Sequence, residues 1–185
     1  MKKTIILIAC IVVVFSCAKQ SKLSKSFECS LTEIENKKEI TDFNNNFKLS
    51  IPNTWKTNLY FSKHESEIFT ADTLKQLTES FILSTSYNLG NLTLNDKFYK
   101  KTDSILLNNN LEFIKSGVDT YKNNKAYWYV AKGSKNNFTY HQFNLTSKRS
   151  ENTYFNASVE IYGDTKIDER ICEAISILEN VEFIK

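Results

Sequence analysis

The stretch from residue 111 to 162 most constrains what this chain can fold into. It reads as four strands, at 111–120, 125–132, 138–147 and 153–162, separated by polar breaks. The breaks are Lys122-Asn123-Asn124, Gly133-Ser134-Lys135-Asn136-Asn137 and Lys148-Arg149-Ser150-Glu151-Asn152. Breaks of three to five residues fit hairpins, so the four strands form an antiparallel meander. The last strand is the clearest. Phe155, Ala157, Val159 and Ile161 face one way, and Tyr154, Asn156, Ser158 and Glu160 face the other.

The rest of the chain is read against that meander. Phe47, Leu49 and Ile51 alternate with polar residues, Pro52 ends that strand for want of an N–H, and Trp55 caps the core beyond the turn. Segments 57–61, 66–70 and 78–87 read as further strands, and Asn88-Leu89-Gly90-Asn91 as a turn. Leu94, Phe98, Ile105 and Leu106 recur near helical spacing. Thr93 or Asn95 caps that helix and Asn108-Asn109-Asn110 ends it. Thr165-x-x-Asp168 resembles a capping box before a second stripe of Ile167, Ile171, Ala174, Ile175 and Leu178. Ser30–Ile40 is a short helix or a packed lead-in, and Val181–Phe183 a short apolar tail. The sum is an α+β domain with an antiparallel sheet and helices over part of each face.

The first residues say where such a domain works. Lys2 and Lys3 precede an apolar run from Ile5 to Phe15. That run falls short of the about 20 residues a spanning helix needs, so it is a signal peptide. Its end, Val14-Phe15-Ser16-Cys17, resembles the bacterial lipobox. The resemblance implies cleavage before Cys17 and acylation of Cys17, with Phe15 bulkier than the commonest residue there. Two or three acyl chains hold a protein on a membrane far more firmly than one. The expected division is a signal peptide at 1–16, a lipidated Cys and flexible tether at 17–26, and one globular domain at 27–185. No acidic cluster follows Cys17, so the expected place is the periplasmic side of the outer membrane.

Net charge is +3, and +1 once Lys2 and Lys3 leave with the leader, which gives no ground for nucleic acid as a partner. Cys10 also leaves with the leader. Cys29 and Cys172 remain, either bridged or as two buried thiols. A bridge would clasp the start of the domain to its last helix, with roughly 5 kcal/mol as the upper estimate from chain entropy. Two cysteines and two distant histidines have no zinc-ligand spacing.

The segment Phe47-x-Leu49-x-Ile51-Pro52-x-x-Trp55 resembles the opening strand of the PsbP-like superfamily. The order of central helix, meander and closing helix is similar too, over roughly residues 43–184. The resemblance implies an α/β/α sandwich with a central antiparallel sheet. That superfamily includes a lumenal subunit of photosystem II, a Ran-binding nuclear-transport factor and many bacterial lipoproteins. They share architecture and not chemistry, so the resemblance carries over no metal, cofactor or partner residues.

Catalytic patterns are few. There is no Gly-x-Ser-x-Gly elbow, no Gly-rich phosphate loop, and no known order of Ser, His and Asp. His64 reads as a solvated loop residue and His141 as a hydrogen-bonded structural one. Tyr127-Trp128-Tyr129 with Phe138, Tyr140 and Phe143 makes adjacent aromatic strands. Trp55, Trp128, Tyr129 and Tyr140 are therefore the candidate ligand or partner surface, unless helices cover both faces. Asp72-Thr73-Leu74 and Asp103-Ser104-Ile105 resemble a bacterial O-glycosylation sequon. The expectation is a membrane-tethered, non-enzymatic accessory domain that binds an envelope protein and uses no cofactor. The alternatives are a carrier of a small hydrophobic ligand in an aromatic groove, and a hydrolase with His64 or His141 beside a nucleophile.

Overall fold

The computed structural model describes residues 21–184. The expected signal segment 1–16 and the expected lipidation site Cys17 lie outside the described residues. In chain order the elements are α1 (Lys22–Ser26), β1 (Lys37–Thr41), β2 (Phe47–Pro52), β3 (Lys56–Phe61), β4 (Glu65–Ala71) and β5 (Ile82–Leu89). Then come α2 (Asp96–Asn108), β6 (Glu112–Tyr121), β7 (Asn124–Lys135), β8 (Phe138–Lys148), β9 (Thr153–Tyr162), α3 (Ile167–Glu179) and β10 (Glu182–Phe183).

Two antiparallel sheets form. The larger has the strand order β3-β4-β5-β9-β8-β7-β6, and the smaller has β1-β2-β10. The meander is present as expected, with tighter connections than the sequence suggested. Lys122 and Asn123 both take positive φ, as do Asn136 and Asn137. That geometry makes a two-residue hairpin whose twist suits the strands, and Asn tolerates it well.

Period 2 sends each strand's side chains to two faces. On the inner face Trp128, Leu145 and Ala157 stand side by side, as do Val130, Phe143 and Val159. Against them pack Phe47, Leu49 and Ile51 of β2, Ile171, Ala174, Ile175 and Leu178 of α3, and Leu23 of α1. The layer opposite the inner face is thus shared by two helices and the small sheet. Trp128 lies flat because Gly117 faces it across the β6–β7 ladder, where a Cβ would come within 2.6 Å of the indole. On the outer face a helix covers the β6–β7 end. There α2 and its lead-in place Leu92, Leu94 and Leu106 on Tyr127, Tyr129 and Ala131.

Three local expectations change. Residues 22–26, expected within a flexible tether, form α1 with Leu23 buried. The turn is held because the Ser21 hydroxyl accepts from the Ser24 N–H at 3.0 Å. The capping box at Thr165 does not form. Lys166 is the N-cap, in the left-handed region and without a side-chain cap bond. The Arg170 guanidinium claims that end instead, donating to the carbonyls of Thr165, Tyr162 and Ser80. Finally, the lead-in ends in β1 rather than a helix, and Glu182–Phe183 of the apolar tail pairs with β2.

Candidate functional site

The uncovered part of the outer face, beside α2, is the candidate site. The Asn95 side chain accepts from the Phe98 N–H at 3.1 Å and so starts α2. The loop before it is pinned twice at the Leu94 carbonyl: the Tyr99 hydroxyl donates to it at 3.2 Å and Lys125 Nζ donates to it at 2.9 Å. Phe98 and Tyr99 then meet the Tyr127 ring, at centroid distances of 5.8 and 4.8 Å. Held there, α2 forms one wall of a groove of about 680 Å³. Phe98, Thr102 and Ile105 line that wall. The floor is Ser86 and Asn88 of β5, Thr146 of β8, and Tyr154 and Asn156 of β9. Asn91, Thr93 and Asn95 close one end, and Lys97 and Lys101 add positive charge.

The floor is ordered by its own hydrogen bonds. The Thr146 hydroxyl donates to Asn156 Oδ1 at 2.8 Å, and Asn88 Nδ2 donates to the Ser86 hydroxyl at 2.8 Å. An Asn side chain carries the same donor and acceptor groups as a peptide unit. The groove is therefore a hydrogen-bonding surface of mostly neutral groups. A second recess, about 370 Å³, holds Tyr140, Gln142, Lys135 and Glu160. In it Lys135 and Glu160 pair at 2.9 Å, and the Tyr162 hydroxyl donates to Glu160 at 2.9 Å. Burial and the Glu160 carboxylate raise the Tyr140 phenol well above its ordinary range. Burial, with Tyr127 beside it, pushes Tyr129 up to about 12. Both phenols stay protonated and neutral at physiological pH.

The aromatic residues expected to form a binding surface do not form one. Trp55 is buried against Phe81, with ring centroids 5.1 Å apart. Trp128 is buried on the inner face with Phe27 at 4.7 Å. Tyr129 is on the outer face but lies in the cluster under α2. Tyr140 alone lines a recess, and it too is buried. The reason is coverage: β2, α1 and α3 cover one face of these strands, and α2 covers the aromatic end of the other. Cys29 and Cys172 are bonded, joining the segment after α1 to α3 across a sequence separation of 143.

Neither histidine lines either recess. His64 lies in the β3–β4 turn and is exposed. His141 is buried on the inner face, and its Nδ1 has no hydrogen-bond partner among the described residues. Among the described residues no group of three His, Cys, Asp or Glu side chains stands close enough to hold a metal ion. Of the sequon-like triplets, Thr73 is exposed in the β4–β5 loop, whereas Ser104 sits in α2 with its hydroxyl on the Lys100 carbonyl. The groove residues themselves were passed over in the sequence. Their one signal is the density of Asn and Thr between 88 and 95, which reads equally as turn and cap.

No protein-family model matches the chain, and no curated protein matches it. Solved structures do. The solution structure of cyanobacterial PsbP (CyanoP) from Synechocystis is similar with a TM-score of 0.60 and 11% identity, covering 84% of this chain and 96% of that one. A crystal structure from Bacteroides thetaiotaomicron is similar with a TM-score of 0.50 and 13% identity, covering 80% of this chain and 48% of that one. LpqN, involved in cell envelope biogenesis of Mycobacterium tuberculosis, aligns with a TM-score of 0.48 and 14% identity, over 78% of this chain and 88% of that one. The chain has a PsbP-like fold, as the strand–Pro–Trp opening implied.

Proposed function

We propose that this chain is an extracytoplasmic, non-enzymatic accessory domain that holds a segment of an envelope protein in the α2 groove. The observation that carries the reading is the groove itself: a hydrogen-bonded floor of amides and hydroxyls beside a helix. Amide side chains suit an extended peptide, whose main chain offers complementary donors and acceptors. A small hydrophobic ligand would need a mostly apolar lining, and here Phe98, Ile105 and Tyr154 stand among amides, hydroxyls and charged groups while Trp55, Trp128, Tyr129 and Tyr140 are buried. The Cys29–Cys172 bond supports a place outside the cytoplasm, where disulfides persist. In this reading the chain is cut before Cys17 and held by acyl groups on that residue, on the periplasmic side of the outer membrane.

Two experiments test it. A photocrosslinking amino acid at Ile105, which lines the groove, gives one discrete protein adduct in cells. The same group at Leu107, which is exposed but does not line it, gives none. Equal labelling from both positions sinks the groove as the binding site. Intact-mass analysis of the mature protein tests the anchor, and an unacylated N-terminus removes it.

A further inference from the structure

The large sheet has two edges, and they are built differently. β6, at one edge, carries a bulge between Phe113 and Lys115. It also points Lys115 and Asp119 to the inner face, where Lys115 Nζ sits 4.1 Å from the Phe27 ring centre. A bulge and inward-pointing charges are the usual ways to stop an edge from pairing with another chain. β3, at the other edge, has neither. Its residues from Thr57 to Phe61 are uncharged, and it pairs with β4 without a break in register. Among the described residues no strand pairs with its free side.

That edge is also apolar. Leu59 and Phe61 project on the inner face and are 42% and 60% exposed. Phe43, 53% exposed in the β1–β2 turn, stacks on Phe61 with centroids 3.8 Å apart. The turn that presents Phe43 is fixed by the buried Asp42 carboxylate, which accepts from the N–H groups of Asn46 at 2.6 Å and Phe47 at 2.8 Å. An unguarded edge and a fixed aromatic pair thus lie side by side.

We propose that β3 pairs antiparallel with β3 of a second copy of this chain, joining two seven-stranded sheets into one. Directly opposed residues of an antiparallel pair share a face, so a symmetric pairing that keeps both inner faces on one side has few registers. Centring it on Leu59 opposes Leu59 to itself, Thr57 to Phe61 and Asn58 to Tyr60 of the other copy. This register pairs five residues of each strand, places Phe61 next to Leu59 of the other copy, and opposes no like charges. Lys56 falls opposite Ser62. The tether leaves from the far end of the sheet, because α1 packs at β6 and the Ser21 hydroxyl donates to Glu179. Six strand spacings, roughly 29 Å, separate the tether side from the free edge, so anchoring leaves β3 free.

The test uses the full chain in detergent. Sedimentation gives a dimer mass for the unaltered protein. Leu59→Lys, which sets two ammonium groups against each other, weakens the dimer by at least ~10-fold, while its circular dichroism stays that of the parent. Oxidative crosslinking then reads the register. Leu59→Cys gives a dimer joined at position 59, mapped by mass spectrometry. Thr57→Cys alone gives none, and mixing it with Phe61→Cys gives the mixed dimer. A monomer mass at every concentration overturns the proposal. So does equal crosslinking at all three positions, or a dimer that Leu59→Lys leaves intact.

Discussion

On the inner face of the large sheet, β8 and β9 present Phe143, Leu145, Ala157 and Val159, all buried without exposed surface. On the outer face the same two strands present Gln142, Asn144, Thr146, Asn156 and Ser158. One set of residues is covered by β2, α1 and α3, and bound from behind by a disulfide. The other is covered by α2 at one end and only partly open along the groove, where Gln142, Asn156 and Ser158 are half-buried and Asn144 and Thr146 are buried. The difference teaches that this sheet is stabilised from one side and usable from the other. Each strand serves both purposes because its side chains alternate.

The largest expected effect should break the covered side. Phe143→Ala removes a ring that meets Phe27 edge-on at 5.3 Å and costs about 3–5 kcal/mol in urea denaturation. Asn156→Ala on the groove side removes an acceptor for the Thr146 hydroxyl and costs about 1 kcal/mol by the same measurement. Costs of equal size would erase the contrast between the faces. Next comes the disulfide. Replacing Cys29 and Cys172 together by Ala costs about 2–5 kcal/mol. Hydrogen exchange then quickens first at residues 23–29, which the bond holds against α3. Smaller again is the cap of α2. Asn95→Ala removes the acceptor for the Phe98 N–H and costs about 1 kcal/mol. Exchange rises along α2 and not along α3, because the two helices pack on opposite faces.

The sequence disclosed one side of this comparison better than the other. Alternation in 153–162 located β9 residue for residue, and the Asn-rich breaks located the hairpins. A period-2 pattern tells which residues share a face, but not what lies on top of it. That is why Trp55, Trp128, Tyr129 and Tyr140 looked available: their coverage comes from β2, α1, α3 and α2, which are distant in the chain. The Cys29–Cys172 bond needed the same long-range information, since spacing allowed either a bond or two thiols. The groove was hidden for the opposite reason. Asn88, Thr146 and Asn156 come from three strands, and only the strand order β5-β9-β8 brings them together. The edge strand β3 was legible as a strand, but its position at an edge is a property of the sheet and not of its residues.

The smallest expected effect sharpens the contrast through pH. His141 lies on the covered side, with Lys132 opposite it in the ladder and Asp164 and Arg170 acting on it electrostatically. Burial, and then the Lys132 charge, lower its pKa from the ordinary 6.5, although Asp164 works the other way. Above pH 6.5 the imidazole is neutral in both folded and unfolded chains. As the pH falls below 6.5 the unfolded chain takes up the proton first, so stability declines until the folded pKa is passed. His141→Gln removes this proton uptake. The loss of stability between pH 7.5 and pH 5.5, measured by urea denaturation, becomes smaller than in the parent. A loss as large in the His141→Gln variant as in the parent would show that burial does not hold this imidazole neutral.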